Sequence, residues 1–471
     1  MDEVLPTALA VLGCTVILTV VAAQYRNDET SWLMGSWLAH LVAVAAQFYV
    51  NFTIYRGDAL GYGRRGIMLG ELVGWDRLEM LKVGLALLFQ QEGPLPFAFQ
   101  GAGAPTGSMS GVSLLLLVFT GSAVYAPVVL LALGSCLGKI AIYQAFRDTF
   151  PPHLHLRLLL ATCYLPSVLF WSSGLLKEAV VVVVLGPFVL GLQRALDGRL
   201  QWLGVVALSA VIIALLKPHI VVALVVACAA MIYARRTRTL SSGFSPFGVA
   251  LGTFVAIGGM ITVGRVFPEL SSEEIMESIA QERSNYTGRG GSSITAFDPT
   301  RMGPFGQFAA APLALFTAWF RPLLIEAHNP QATANALEST LFLVLAGRVV
   351  WRNPLGEMAR RVVSEPLLMF SLAFAFTLGL GVGLTTPNLG SLSRYRMPLL
   401  PFLMAFLVVL SARQSAPAVV AAMGLRALTR PTTPTLVGGP QPAGFAASPP
   451  GPRDSGGSPA GSASVAPQNW K

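Results

Sequence analysis

The chain has 471 residues, of which 54% are hydrophobic and 12% charged, with a formal net charge of +9. Soluble domains carry about 25% charged and roughly 45–50% apolar residues, so this composition excludes an ordinary soluble enzyme and indicates an integral membrane protein. Apolar runs such as Val180 to Leu185 and Ile220 to Ala227 are continuous rather than alternating, which excludes a transmembrane barrel and predicts an all-α, polytopic transmembrane helical bundle.

Hydropathy predicts about eleven spans. The first two cover roughly residues 4–24 and 32–55, and a third begins near Val112. The others fall at roughly 158–171, 175–195, 202–216, 219–234, 247–267, 336–351, 366–384 and 397–412. Met1-Asp2-Glu3 lacks the positive start of a signal peptide, so the first segment is predicted to be a retained span. Two connections are long, 56–111 and 268–335. Arginines gather on alternate turns: Arg147 with Arg157, Arg194 with Arg199, Arg235 to Arg238, and Arg348, Arg352, Arg360 and Arg361. The positive-inside rule makes those turns cytoplasmic, which places the N-terminus and both long connections outside and the C-terminus inside. Cys14, Cys136, Cys163 and Cys228 lie in apolar runs without close pairing and read as small buried residues.

With that orientation, the charged interruptions of the apolar segments open on one side. Charge at that depth is costly and is usually kept for a function. In the first long connection Arg56-Gly57-Asp58 follows the second span and Arg64-Arg65 comes soon after. Leu78, Leu81, Leu85 and Leu88 then share one face, as in a helix lying in the membrane interface. Asp58 at the mouth of a bundle can act as a general base on an acceptor hydroxyl or hold a divalent metal that screens a phosphate. Pairing with Arg56 or Arg64 at a helix end is the plainer alternative. Trp171-Ser172-Ser173-Gly174 then turns the chain into Lys177-Glu178. There Lys177 can meet a phosphate or sugar while Glu178 offsets its charge or binds a hydroxyl, unless the two neutralise each other. Lys217-Pro218-His219 forms a polar hairpin turn at the same side, with Lys217 and His219 as further substrate contacts.

The second long connection carries a capping-box pattern at Ser271 to Glu274, a Gly-rich turn around Arg289, and Arg321, Glu326 and His328 as a candidate group or a helix-entry ion pair. Before the last span, Arg394-Tyr395-Arg396 sets two guanidinium groups about an aromatic ring, and such forks of donors suit phosphate oxygens. From about Thr429 the chain is dense in Pro, Gly, Ser and Ala and is predicted to be a disordered tail over 429–471, following a membrane domain over 1–428. The basic tail suits an anionic inner leaflet. A nucleic-acid reader motif is absent.

Asp58 in a long external loop, a many-span bundle, and Arg394-Tyr395-Arg396-Met397-Pro398 running on to Pro401 together resemble the C-type membrane glycosyltransferases, including bacterial relatives of the protein mannosyltransferases. The resemblance implies a bacterial inner-membrane enzyme with a loop carboxylate serving the acceptor and C-terminal basic residues near the phosphate of a polyprenyl carrier. It implies a polyprenyl-linked sugar donor, a glycan, lipid or protein acceptor, and membrane lipids as partners. The acidic pair common in that family is Asp58-Ala59 here, and an additional N-terminal span precedes it. Polysaccharide polymerases and O-antigen ligases share the layout, and a lipid-linked glycan flippase is the non-enzymatic alternative. A flippase would often carry internal repeats with matching broken helices, and no such self-similarity is evident.

Overall fold

The computed structural model describes residues 3–53, 57–91, 99, 101–239, 304–327, 330–386 and 389–412. The described residues form helices throughout. Helix α1 (Val4–Ala22) and α2 (Asn27–Thr53) are followed by three shorter helices, α3 (Asp58–Leu72), α4 (Arg77–Leu88) and α5 (Pro105–Thr120). Then come α6 (Ala126–Thr149), α7 (His155–Cys163), α8 (Pro166–Ser172), α9 (Lys177–Leu196), α10 (Leu203–Leu216) and α11 (Pro218–Thr239). The rest are α12 (Pro304–Phe320), α13 (Pro330–Arg352), α14 (Leu355–Ser364), α15 (Pro366–Thr385), α16 (Leu389–Tyr395) and α17 (Leu400–Ser411).

Seven of these, α1, α2, α6, α9, α11, α13 and α15, are long and apolar enough to cross a membrane. Two bent pairs raise the number to nine among the described residues: α7 with α8, at 48°, and α16 with the segment through α17, at 44°. This differs from the eleven spans expected, for identifiable reasons. The segment expected to hold the third span is two helices, because Gly121 takes a φ of 64° after α5 and the chain starts again at α6, and this leaves the count unchanged because only α6 is long enough to cross. A residue in that left-handed region ends a helix, and glycine enters it without steric cost. Helix α10 has only 14 residues, fewer than the roughly 20 needed to cross the hydrocarbon core. The expected span at 247–267, the features around Ser271 and Arg289, His328 and the tail lie outside the described residues.

Neither long connection is a simple loop. The first holds α3 and α4 and the start of α5, and the second holds α12 and a short turn at Leu324–Glu326. In α4 the expected leucine stripe does form, but Leu78, Leu81 and Leu85 point away from the protein while Met80, Val83 and Leu87 are buried. An outward apolar stripe of this kind suits contact with lipid.

Between apolar helices in lipid the hydrophobic effect gives little net attraction, so close packing and small residues must hold the bundle together. The α6–α9 contact shows this directly. A Cβ on Gly138 would overlap the Val182 carbonyl, and one on Gly186 would overlap the Gly138 carbonyl, so two backbones touch where only glycine fits. On the other side Phe402 of α17 packs against Phe146 of α6 and against Phe370 and Phe374 of α15, with ring centroids 5.3–6.4 Å apart. These contacts fix the helix ends that carry charge. At one end of the bundle are the end of α2 and the starts of α3, α9 and α11, with α16 beside them. At the opposite ends of α2, α6, α9 and α11 lie the Glu29–Arg147 and Asp197–Arg235 pairs, at 2.9 and 2.8 Å.

Candidate functional site

Asp58 is the first residue of α3, where its carboxylate also complements the positive end of the helix dipole. Glu178 occupies the first turn of α9, and Lys217 is the residue between α10 and α11. Arg394 is near the end of α16. Four chain segments far apart in sequence thus deliver their charges to one place.

Arg394 is the centre of the group. Its Nη1 donates to Asp58 Oδ2 at 2.7 Å and its Nη2 to Glu178 Oε2 at 3.0 Å. Its Nε lies 2.8 Å from Glu178 Oε1, an ionic contact without hydrogen-bond alignment. Lys217 Nζ reaches the same Glu178 oxygen at 2.9 Å. The Lys217 ammonium sits 4.5 Å from the Tyr395 ring centre, and the Arg394 guanidinium 6.0 Å from that of Trp171. Lys177 Nζ turns to Thr106 Oγ1 at the start of α5, 3.4 Å away. Among the described residues, Arg394, Lys217 and Lys177 thus lie around two carboxylates, a formal excess of one positive charge. Glu178 is only 2% exposed and its two ion pairs justify its burial, whereas Asp58 is 58% exposed. Tyr62 of α3 is buried, and burial, with the Asp58 charge second, pushes its phenol up to about 12.

The structure separates the other sequence candidates. Arg64 is exposed on α3, beside an apolar cleft of about 180 Å³. His219 is exposed at the start of α11. Arg396 does not join Arg394: it is fully buried, donating to the carbonyl oxygens of Ala318 and Arg321 and, at 2.8 Å, to Ser339 Oγ. Successive side chains on a helix are about 100° apart, so residues two positions apart point to nearly opposite faces. Arg321 and Glu326 form their own ion pair, with Glu326 also accepting the Leu323 N–H at 2.8 Å. This is the helix-entry arrangement rather than part of the Asp58 group.

Glu338 escaped the sequence reading. It is the only acid in α13, and it accepts from Ser167 N at 2.8 Å and from Ser167 Oγ at 2.6 Å. That caps α8 after the Pro166 break, and α8 carries Trp171 to the site. An acid alone in an apolar helix was the available signal. The same signal marks Lys139, the only charge between Ala126 and Phe146, which is fully buried 3.5 Å from Ser172 Oγ. Among the described residues no group of three His, Cys, Asp or Glu is arranged to hold a metal ion.

No known protein family, curated protein or solved structure matches this chain.

Proposed function

We propose that the chain is a membrane glycosyltransferase that moves a sugar from a polyprenyl-phosphate-linked donor to a hydroxyl acceptor, at the external face of a bacterial inner membrane. The observation that carries this reading is the bridge from Arg394 to both Asp58 and Glu178 at one end of the bundle. It sets an exposed carboxylate next to a guanidinium held in place by a buried one. The acceptor oxygen attacks the anomeric carbon while the bond from that carbon to the phosphate oxygen breaks. The acceptor proton passes to Asp58, and the phosphate leaves on its lipid. Arg394 with Lys177 and Lys217 balances the phosphate charge, and because Glu178 already fixes Arg394 this arrangement needs little reorganisation during the reaction. Lys cannot reproduce the planar fork of donors that Arg394 offers to both carboxylates and phosphate.

The test uses purified protein in lipid nanodiscs supplied with radiolabelled polyprenyl-phosphate sugars and glycan or lipid acceptors. Transfer is expected from the wild type, and Arg394→Lys should raise the donor KM more than it lowers kcat. Absence of transfer from a panel of polyprenyl-phosphate sugars, with the protein shown to be folded, would reject the reading.

A further inference from the structure

A second cleft lies at the opposite end of the bundle and has no part in the chemistry above. Helices α1 and α9 both pack on α6, and between them α6 forms the cleft floor with Leu137, Ile140, Gln144 and Arg147, which share one face at three- and four-residue steps. Val21 of α1 and Leu190 of α9 supply the walls, around a volume of about 320 Å³. Arg147 and Arg194, in the last turns of α6 and α9, stand at its mouth with Gln24. Along the floor beyond Gln144 the lining is apolar. From Arg147 to Leu137 that floor runs about 15 Å at the helical rise. This is half of the roughly 30 Å hydrocarbon core, so the cleft has the depth of one leaflet.

We infer that this cleft binds an anionic phospholipid, with the phosphate at Arg194 and an acyl chain lying along α6. The site is independent of the transfer reading. Arg147 already donates to Glu29 at 2.9 Å, and Asp148, outside the cleft, accepts from Gln144. Arg194 is different. It is half-buried, its guanidinium rests 4.6 Å from the Trp202 ring centre, and among the described residues no carboxylate pairs with it. A guanidinium so placed keeps its fork of donors open to a phosphate. Charge decides between lipids, because a chain already in lipid gains little from apolar burial alone, whereas basic pockets between membrane helices select anionic head groups. A zwitterionic head would bring its own cation to Arg194, and a soluble phosphate would leave the apolar depth of the cleft unfilled.

The experiment titrates the delipidated full-length protein in detergent with phosphatidylglycerol and phosphatidylcholine of identical acyl chains, and counts the bound lipids by native mass spectrometry. Wild type should retain phosphatidylglycerol about fivefold more tightly, the equivalent of the roughly 1 kcal/mol that one basic residue contributes near an anionic surface. Arg194→Gln should remove that preference, while Arg199→Gln, exposed at the same end but outside the cleft, should leave it in place. Val21→Trp, which narrows the cleft and keeps the cation, should weaken retention of phosphatidylglycerol, and it gives a second arm if Arg194→Gln fails to fold. Equal retention of the two lipids by wild type would overturn the inference. So would a preference that survives Arg194→Gln or that Arg199→Gln removes equally, because the attraction would then belong to the basic end as a whole. Undiminished retention by Val21→Trp would place the lipid outside the cleft, and displacement by an excess of glycerol phosphate would make this a soluble-anion site; either result would also overturn it.

Discussion

Arg394 holds two carboxylates of unequal standing, and their exposures assign the roles. Glu178 is buried against two cations, while Asp58 is exposed. Glu178→Gln should therefore act on the protein before it acts on chemistry. Leaving Lys217 and Arg394 without their buried partner costs about 3–5 kcal/mol, which a thermal or denaturant unfolding curve in detergent will show. Unfolding equal to wild type would mean that the pair does not hold the site. Glu326 gives an independent check away from the site. Burial alone would raise its carboxyl, but the Arg321 hydrogen bonds and the Leu323 N–H outweigh it and hold the group below its ordinary value. A carboxyl depressed in the folded state adds stability above its unfolded pKa of about 4.3 and loses it as the pH falls through the folded value. Wild type should thus unfold at a higher temperature than Glu326→Gln at neutral pH, and the two curves should converge in acid. Curves that stay parallel throughout would contradict the assignment.

Helices are rigid carriers of these charges, and their contacts decide which residues meet. Gly138→Leu is expected to destabilise the fold at or beyond the upper end of the about 1–3 kcal/mol typical of overpacking, because the atoms it would displace are backbone. Gly204→Ala in α10 meets nothing within 4 Å and should be neutral or slightly stabilising. Equal effects in a thermal unfolding series would show that α6 and α9 are not in backbone contact. The same elements explain what was legible in the sequence. That Asp58, Lys177, Glu178, Lys217 and Arg394 belong together followed from charge at apolar helix ends and from orientation, both of which are local patterns. That Arg394 pairs with Asp58 across 336 residues depends on packing that no local pattern records. Arg396 was misplaced because residues two apart were read as neighbours, whereas a helical backbone turns them apart. The α5–α6 break was missed because both sides are apolar, and a single glycine at positive φ leaves almost no mark in a hydropathy window.

Taken as a whole, the molecule puts one set of charges at each end of an apolar bundle, and the account requires the Asp58 end to face outward. Gly61 is exposed one turn beyond Asp58 with open space at its Cβ position, while Cys14, Cys136 and Cys163 are buried and Cys228 is half-buried. Gly61→Cys should therefore react with an impermeant thiol reagent in intact cells over a low background. Labelling only after the cells are opened would invert the topology. The central claim is that Asp58 takes the acceptor proton, and it is tested most directly by single-turnover transfer from a defined polyprenyl-phosphate sugar by purified Asp58→Asn, with donor binding measured on the same sample. The amide keeps the shape of the carboxylate and removes the proton acceptor, so the rate should fall by about 10²–10⁴-fold while donor binding persists. A rate equal to wild type with intact donor binding would contradict the account.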